Sequence, residues 1–254
     1  MNWAERLASG EPIAEPVAVV VAHADDETLW AGSALGRFRD CRLIHLTDSA
    51  PRDGGDAARL GIATREAYAA LRAAELDEAL QRLGATPVRI GYAIADKELV
   101  DHLPDLVDRL ARDCAGAAAI VAHPYEGGHP DHDSAAFAVS RAAARMVDPP
   151  ALVEFASYHE VGGTRVFGRF WTDPEHPEQV RPLPPDERSR VADALAAHAS
   201  QADVFGEYRP DAERWRAAPR YDFAASPPPG RALYDGFGWD VTSASWRERA
   251  AACR

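Results

Sequence analysis

The chain has 254 residues, 46% of them hydrophobic, and a formal net charge of −12. That length can bury a substantial core, as one large domain or two small ones. The negative balance argues against binding nucleic acid or an anionic membrane through bulk electrostatics.

Cys41, Cys114 and Cys253 lie far apart with no CxxC pair. This argues against a disulfide framework or a zinc finger and suits a reducing compartment. The opening MNWAERLASGEPIAEP carries glutamates and no long apolar core, so it does not read as a signal peptide. No apolar run approaches the ~20 residues that span a bilayer. The expectation is a cytoplasmic protein without a membrane partner.

PVAVVVA (16–22) is a continuous valine-rich run, the mark of a strand buried on both faces. TLWAGSALGRFR (28–39) places Leu29, Leu35 and Phe38 near helical spacing, and CRLIHLTD (41–48) reads as a second buried strand. TREAYAALRAAELDEALQRLG (64–84) is an amphipathic helix closed by Gly84. TPVRIGY (86–92) is a third strand, and LVDHLPDLVDRLARD (99–113) a helix with Pro104 near its start or at a kink. AAAIVAH (117–123) is a fourth strand and DSAAFAVSRAAARM (133–146) a further helix. Beyond residue 150 the pattern loosens: ALVEFASYHE suggests a strand, 186–200 a helix, and the segment after 205 is rich in Pro, Trp and Tyr.

Strands alternating with helices predict an α/β fold, a Rossmann-like, mostly parallel sheet with helices on both faces. An irregular C-terminal portion packs on it, and the whole of 1–254 is expected to form one domain. Ligands of such sheets collect at the carboxyl ends of the strands.

Two motifs fall at such ends. AHADDETLWAG (22–32) follows the first strand and sets His23, Asp25, Asp26 and Glu27 within five positions. Buried carboxylates need a compensating charge or a metal. Dinucleotide binding at this turn is disfavoured: no glycine precedes Gly32, and acidic side chains stand where phosphates would sit. The second motif, HPYEGGHPDHDS (123–134), follows the fourth strand and sets His129 and His132 three apart. A histidine pair on a loop is by itself more often solvated or structural than ligating. Together with the first motif at the same rim, an imidazole and carboxylate set suits Zn²⁺ with an open water position.

AHADDE followed by HPDH resembles the zinc-dependent de-N-acetylases of the GlcNAc-phosphatidylinositol de-N-acetylase (PIG-L, LmbE-like) family, whose members carry (P/A)HPDDE after the first strand and HxDH after a later one. Milder resemblances run through ELDEALQRLG, GYAIAD and HASQ, and Ala24 stands where proline is usual. The resemblance implies His23, Asp26 and His132 as zinc ligands, Asp25 as general base, and a protonated His129 assisting the oxyanion or leaving group. It also implies Arg72 at the sugar head group and Asp96 at sugar hydroxyls. Fe²⁺ suits the same ligands, and selection follows availability.

Around these, Asp131 is read as holding His129 in its charged form or facing solvent, Asp133 as a helix N-cap, His123 and His45 as structural, and Glu27 either as capping or supporting the site or as catalytic. The family's tyrosine two positions before HxDH is Gly127 here, leaving Tyr125 nearest. The polar stretch 47–56 is expected at the pocket rim. The implied function is removal of an N-acyl group, acetyl first, from a small-molecule amino sugar or glycoconjugate. The alternatives are a zinc amidase acting on a larger amide such as a thiol conjugate, and a sugar-binding relative without turnover. A homo-oligomer stays open.

Overall fold

The computed structural model describes residues 1–206, 208–228 and 230–253. In chain order its elements are α1 (Trp3–Ser9), β1 (Val17–Val21), α2 (Asp26–Leu35), β2 (Cys41–Pro51), α3 (Gly55–Arg59), α4 (Arg65–Leu83), β3 (Val88–Asp96), a 3₁₀ turn (Leu99–His102) running into α5 (Leu103–Asp113), β4 (Ala119–Ala122) and α6 (Pro130–Arg145). There follow β5 (Ala151–Phe155), β6 (Tyr158–Val161), β7 (Thr164–Phe167), β8 (Gln179–Pro182), α7 (Pro185–Leu195), α8 (Ala202–Phe205), β9 (Ala212–Ala217) and α9 (Ser243–Ala252). A seven-stranded sheet runs β3-β2-β1-β4-β5-β9-β8, its first five strands parallel and β9 and β8 antiparallel.

The valine run explains why β1 lies inside the sheet. Val17, Val19 and Val21 enter the core beneath α2, α4 and α7, whereas Ala18, Val20 and Ala22 enter the core beneath α5, α6 and α9. Alternate residues of one strand thus feed two apolar layers, as the pleat requires. Helices cover both faces.

Helix ends follow local chemistry. Gly84 caps α4 at φ 68°, in the left-handed region that favours glycine. Pro104 lies in the first turn of α5, where a missing N–H costs nothing. The helix expected from 133 begins three residues earlier, because the His129 ring caps it. Asp133 is therefore inside α6, where its carboxylate accepts from Gly127 N–H and the Tyr234 hydroxyl, both at 3.0 Å.

The C-terminal portion is more regular than expected. β8 and β9 complete the main sheet, β6 and β7 form a separate hairpin, and α9 packs on α6. Trp246 of α9 is fully buried, stacks on Tyr125 at 5.3 Å and donates its indole N–H to Ser134 Oγ on α6 at 2.9 Å. Trp246→Ala is expected to destabilise the fold by about 3–5 kcal/mol, through the lost transfer energy and the cavity left behind. A melting temperature within a degree of the parent would contradict this. Among the described residues no helix is long and apolar enough to cross a membrane.

Candidate metal and catalytic centre

The strand order reverses between β1 and β4: the chain proceeds from β1 outward to β2 and β3, then returns to place β4 on the other flank of β1. Ligand crevices form at such a switch point. The turn after β1 carries His23 to Asp26, and the loop after β4 leads to His129 and His132 at the start of α6.

Asp26 is the hub of the cluster. It is 2% exposed, and its carboxylate meets three imidazoles: His23 Nδ1 at 3.4 Å, His123 Nε2 at 3.2 Å and His132 Nε2 at 3.4 Å. Burial opposes its charge, but His132 and His123 outweigh that and hold it well below the usual carboxylate range. The His23 backbone N–H and the Trp30 indole also donate to Asp26, at 2.9 and 3.2 Å.

His132 Nε2 is buried and has no hydrogen-bond partner. A lone pair left so would cost free energy in a dry interior. Its Nδ1 lies 3.3 Å from Ser157 Oγ, which orients the ring. Burial and the neighbouring His123 push His132 down to about 4, so it is neutral, as a ligating imidazole must be.

Among the described residues, three overlapping groups of donors could hold a metal ion: Asp26, His123 and His132; His23, His129 and His132; and His23, Asp96, His129 and Asp131. The set implied by resemblance, His23, Asp26 and His132, lies across them, with Asp26 touching both histidines. An imidazole and carboxylate set with an orphaned buried nitrogen fits a zinc-like cation.

Asp25 stands beside this set in an unusual backbone state, φ 154° and ψ −28°. Burial raises its carboxyl, Arg72 pulls it down, Asp26 pushes it up again, and the balance leaves it at about 7. That is a poise suited to taking and returning a proton near neutrality.

Arg72, expected at the sugar, is 2% exposed and already engaged. Its guanidinium donates to Asp25 Oδ2 at 2.7 Å, to the Ala24 carbonyl and to Ser200 Oγ at 3.3 Å, and pairs with Glu75. It borders the cavity, but as the partner of Asp25. Its Nε has no hydrogen-bond partner, so one donor of this cavity-lining guanidinium stays uncommitted.

The surroundings of His129 oppose the protonated form expected of it. Burial and the neighbouring His23 charge push it well below its ordinary value. Its Nδ1 accepts the Asp131 backbone N–H at 3.1 Å, which leaves the proton on Nε2, facing Asp96 at 3.8 Å. The Asp131 carboxylate does not reach the His129 ring. It accepts from Lys97 N–H at 2.7 Å and Leu99 N–H at 3.1 Å and lies 3.3 Å from His23 Nε2.

Asp96, at the end of β3, meets His23 Nε2 at 3.0 Å and borders the cavity. Burial disfavours a charged His23, but Asp96, Asp131 and Asp26 more than offset it and hold His23 well above its ordinary value. His123 and His45 are buried, the first stacked on His132 at 3.9 Å and the second 3.1 Å from Glu27.

These groups open into a cavity of about 650 Å³. One wall is aromatic, from Trp30, Tyr158 and Phe167, with Arg165 over the Phe167 ring at 4.5 Å. Phe237 and Trp239 also line the cavity, the latter 5.1 Å from His129 and beneath the Lys97 ammonium at 4.8 Å. Ser49 and Asp56 line the rim, as expected of 47–56, which forms the end of β2 and part of α3. Tyr68 and Tyr158 both line the cavity, Tyr158 at 5.2 Å from His132; Tyr125 is buried elsewhere and donates to Ala225 O. No motif spacing marks Tyr158, Lys97 or Trp239, since only folding brings these distant segments together.

Known proteins resemble this chain in sequence and fold. The model of the family described as GlcNAc-PI de-N-acetylase (PIG-L) matches residues 18–143. A Bacillus cereus protein named "Probable N-acetyl-alpha-D-glucosaminyl L-malate deacetylase 2" is 29% identical over 136 residues, 51% of this chain and 61% of that protein. The chain thus spans about three fifths of the length of that relative. A namesake from Bacillus anthracis is 28% identical over 197 residues, 73% of this chain and 80% of its own. Among solved structures, the zinc-inhibited form of teicoplanin deacetylase Orf2 superposes with a TM-score of 0.63 at 13% identity, covering 82% of this chain and 99% of that one, and so shares the fold. The stretch that matches the GlcNAc-PI de-N-acetylase (PIG-L) family, residues 18–143, runs from the first buried strand through the helix that carries His132 and so holds both motifs of the site.

Proposed function

We propose that the chain is a metal-dependent N-deacetylase acting on an N-acetyl amino sugar or glycoconjugate, with residues 1–254 forming one catalytic unit in the cytoplasm. The observation that carries this reading is the meeting, in one crevice, of a buried imidazole–carboxylate donor set with a second carboxyl poised at about 7. His23, Asp26 and His132 would hold Zn²⁺, or Fe²⁺ where that is the available ion. When bound, such a cation lowers the pKa of a water molecule and polarises an amide carbonyl.

The chain's own groups do the rest. Asp25 takes the proton of the attacking water and returns it to the departing amine, and Arg72 keeps its carboxylate aimed while it does so. His129 Nε2–H donates to the carbonyl oxygen as that atom gains negative charge, and a neutral donor suffices for this. Aromatic faces of Trp30, Tyr158, Phe167 and Trp239 exclude water and offer flat surfaces to the sugar, and Asp96 can accept from its hydroxyls.

Elemental analysis paired with acetate release from a panel of N-acetyl amino sugars tests the reading. About one zinc or iron per chain with acetate release supports it. A metal-loaded protein that releases only a bulkier acid is an amidase of another substrate class, and a chain that takes up no metal removes the hydrolase reading. Trp239→Ala is expected to raise KM about 3–10-fold with a smaller change in kcat, the worth of one aromatic contact; an unchanged KM would exclude Trp239 from the substrate.

A further inference from the structure

Among the described residues, four non-glycine residues have positive φ: Asp25, Ser49, Ala93 and Lys97. Three of them, Asp25, Ser49 and Lys97, line the main cavity at the ends of β1, β2 and β3. Such conformations persist only where neighbours over-determine them, and they gather at functional sites. What holds Asp25 is visible. Its side chain is gripped by Arg72. Its backbone is gripped from the other side by a residue that does not border the cavity.

That residue is Glu27, wholly buried just inside α2. One carboxylate oxygen accepts the Asp25 backbone N–H at 3.1 Å, a donor shared with the His23 carbonyl at 3.1 Å, and faces His45 Nε2 at the same distance. The other accepts the Thr28 hydroxyl and lies 3.7 Å from His198 Nε2. Thr28 Oγ1 and His198 Nε2 are themselves 3.2 Å apart. A glutamate that merely favoured the helix dipole would lie at the surface, where such a charge is normally solvated. Here three elements converge on one buried carboxylate: β2 through His45, α2 through Thr28, and the segment after α7 through His198.

We propose that Glu27 is a positioning residue: its carboxylate clamps the Asp25 backbone N–H in the φ 154° conformation and thereby aims the Asp25 carboxyl at the reacting water. The proposal rests on Asp25 acting as the general base. The clamp depends on reach and on an acceptor oxygen, not on charge. Glutamine reaches as far as glutamate and keeps an acceptor, whereas aspartate keeps the charge and falls one methylene short. Geometry and charge therefore order the two substitutions oppositely.

The test compares metal-loaded parent, Glu27→Gln and Glu27→Asp by kcat, KM, metal content, and hydrogen–deuterium exchange of the peptide spanning 22–30. Glu27→Gln is expected within about threefold of the parent kcat. Glu27→Asp is expected to lose about 10–100-fold in kcat, the usual effect of misplacing a catalytic group through its support, with KM and metal content held. The Asp25 amide should exchange slowly in the parent and Gln variant and faster in the Asp variant. A Glu27→Asp kcat equal to or above that of Glu27→Gln, or a loss explained by missing metal, overturns the proposal. So does a parent Asp25 amide exchanging like an unprotected loop amide, whether or not either variant folds. Absence of turnover in the parent would instead strike the deacetylase reading, and the exchange order would still decide the clamp.

Discussion

His132→Ala, purified with zinc present, is expected to carry far less than one zinc per chain and to lose turnover with it. The imidazole supplies an orphaned nitrogen 3.4 Å from Asp26 Oδ1, and alanine removes one donor of three. Losing a mere supporting contact weakens metal affinity about 10–100-fold, so losing a ligand should exceed that. The result also separates the overlapping donor groups. If His132→Ala keeps its metal while Asp96→Asn loses it, the ion sits among His23, Asp96, His129 and Asp131, and the assignment of Asp26 and His132 falls. Elemental analysis of the two variants side by side decides it.

Asp25→Asn should behave in the opposite way, keeping metal while kcat falls by about 10²–10⁴-fold, the usual contribution of a positioned base. The amide matches the carboxylate in shape and still offers Arg72 an acceptor, so the fold should be unaffected. The proposed base would act as its carboxylate. Turnover therefore declines as pH falls through its pKa, at or below about 7, since a neighbouring cation favours the ionised form. An amide in its place cannot titrate, so that limb should vanish from the residual rate. Full activity in Asp25→Asn would show that the base lies elsewhere.

The parts of the fold that could be read in advance are those whose burial is written in apolar side chains. The valines of β1, the glycine ending α4 and the proline opening α5 each declare a local state that tertiary contacts then support. β9 makes no such declaration. Its sequence AERWRA looks like a solvated stretch, yet Glu213, Arg214 and Arg216 are 3, 8 and 3% exposed. Glu213 accepts from the Ser33 and Ala34 N–H groups, and Arg216 pairs with Glu154 and Glu126. A buried charge hides its burial when its partners lie in other segments. The same holds for Arg72, a plausible surface arginine by pattern and a buried partner of Asp25 in the fold.

From residue order alone, then, came the alternation of strands and helices and the chemical identity of His23, Asp25, Asp26, His129 and His132, because hydropathy periods and donor types are local properties. The protonation of His129, the direction of the Asp131 carboxylate, the commitment of Arg72, the Glu27 clamp and the aromatic walls from residues 158, 167 and 239 depend on contacts between segments far apart in the chain. Electrostatics and cavity shape are sums over neighbours in space, and those neighbours exist only once the sheet has brought β1 and β4 side by side.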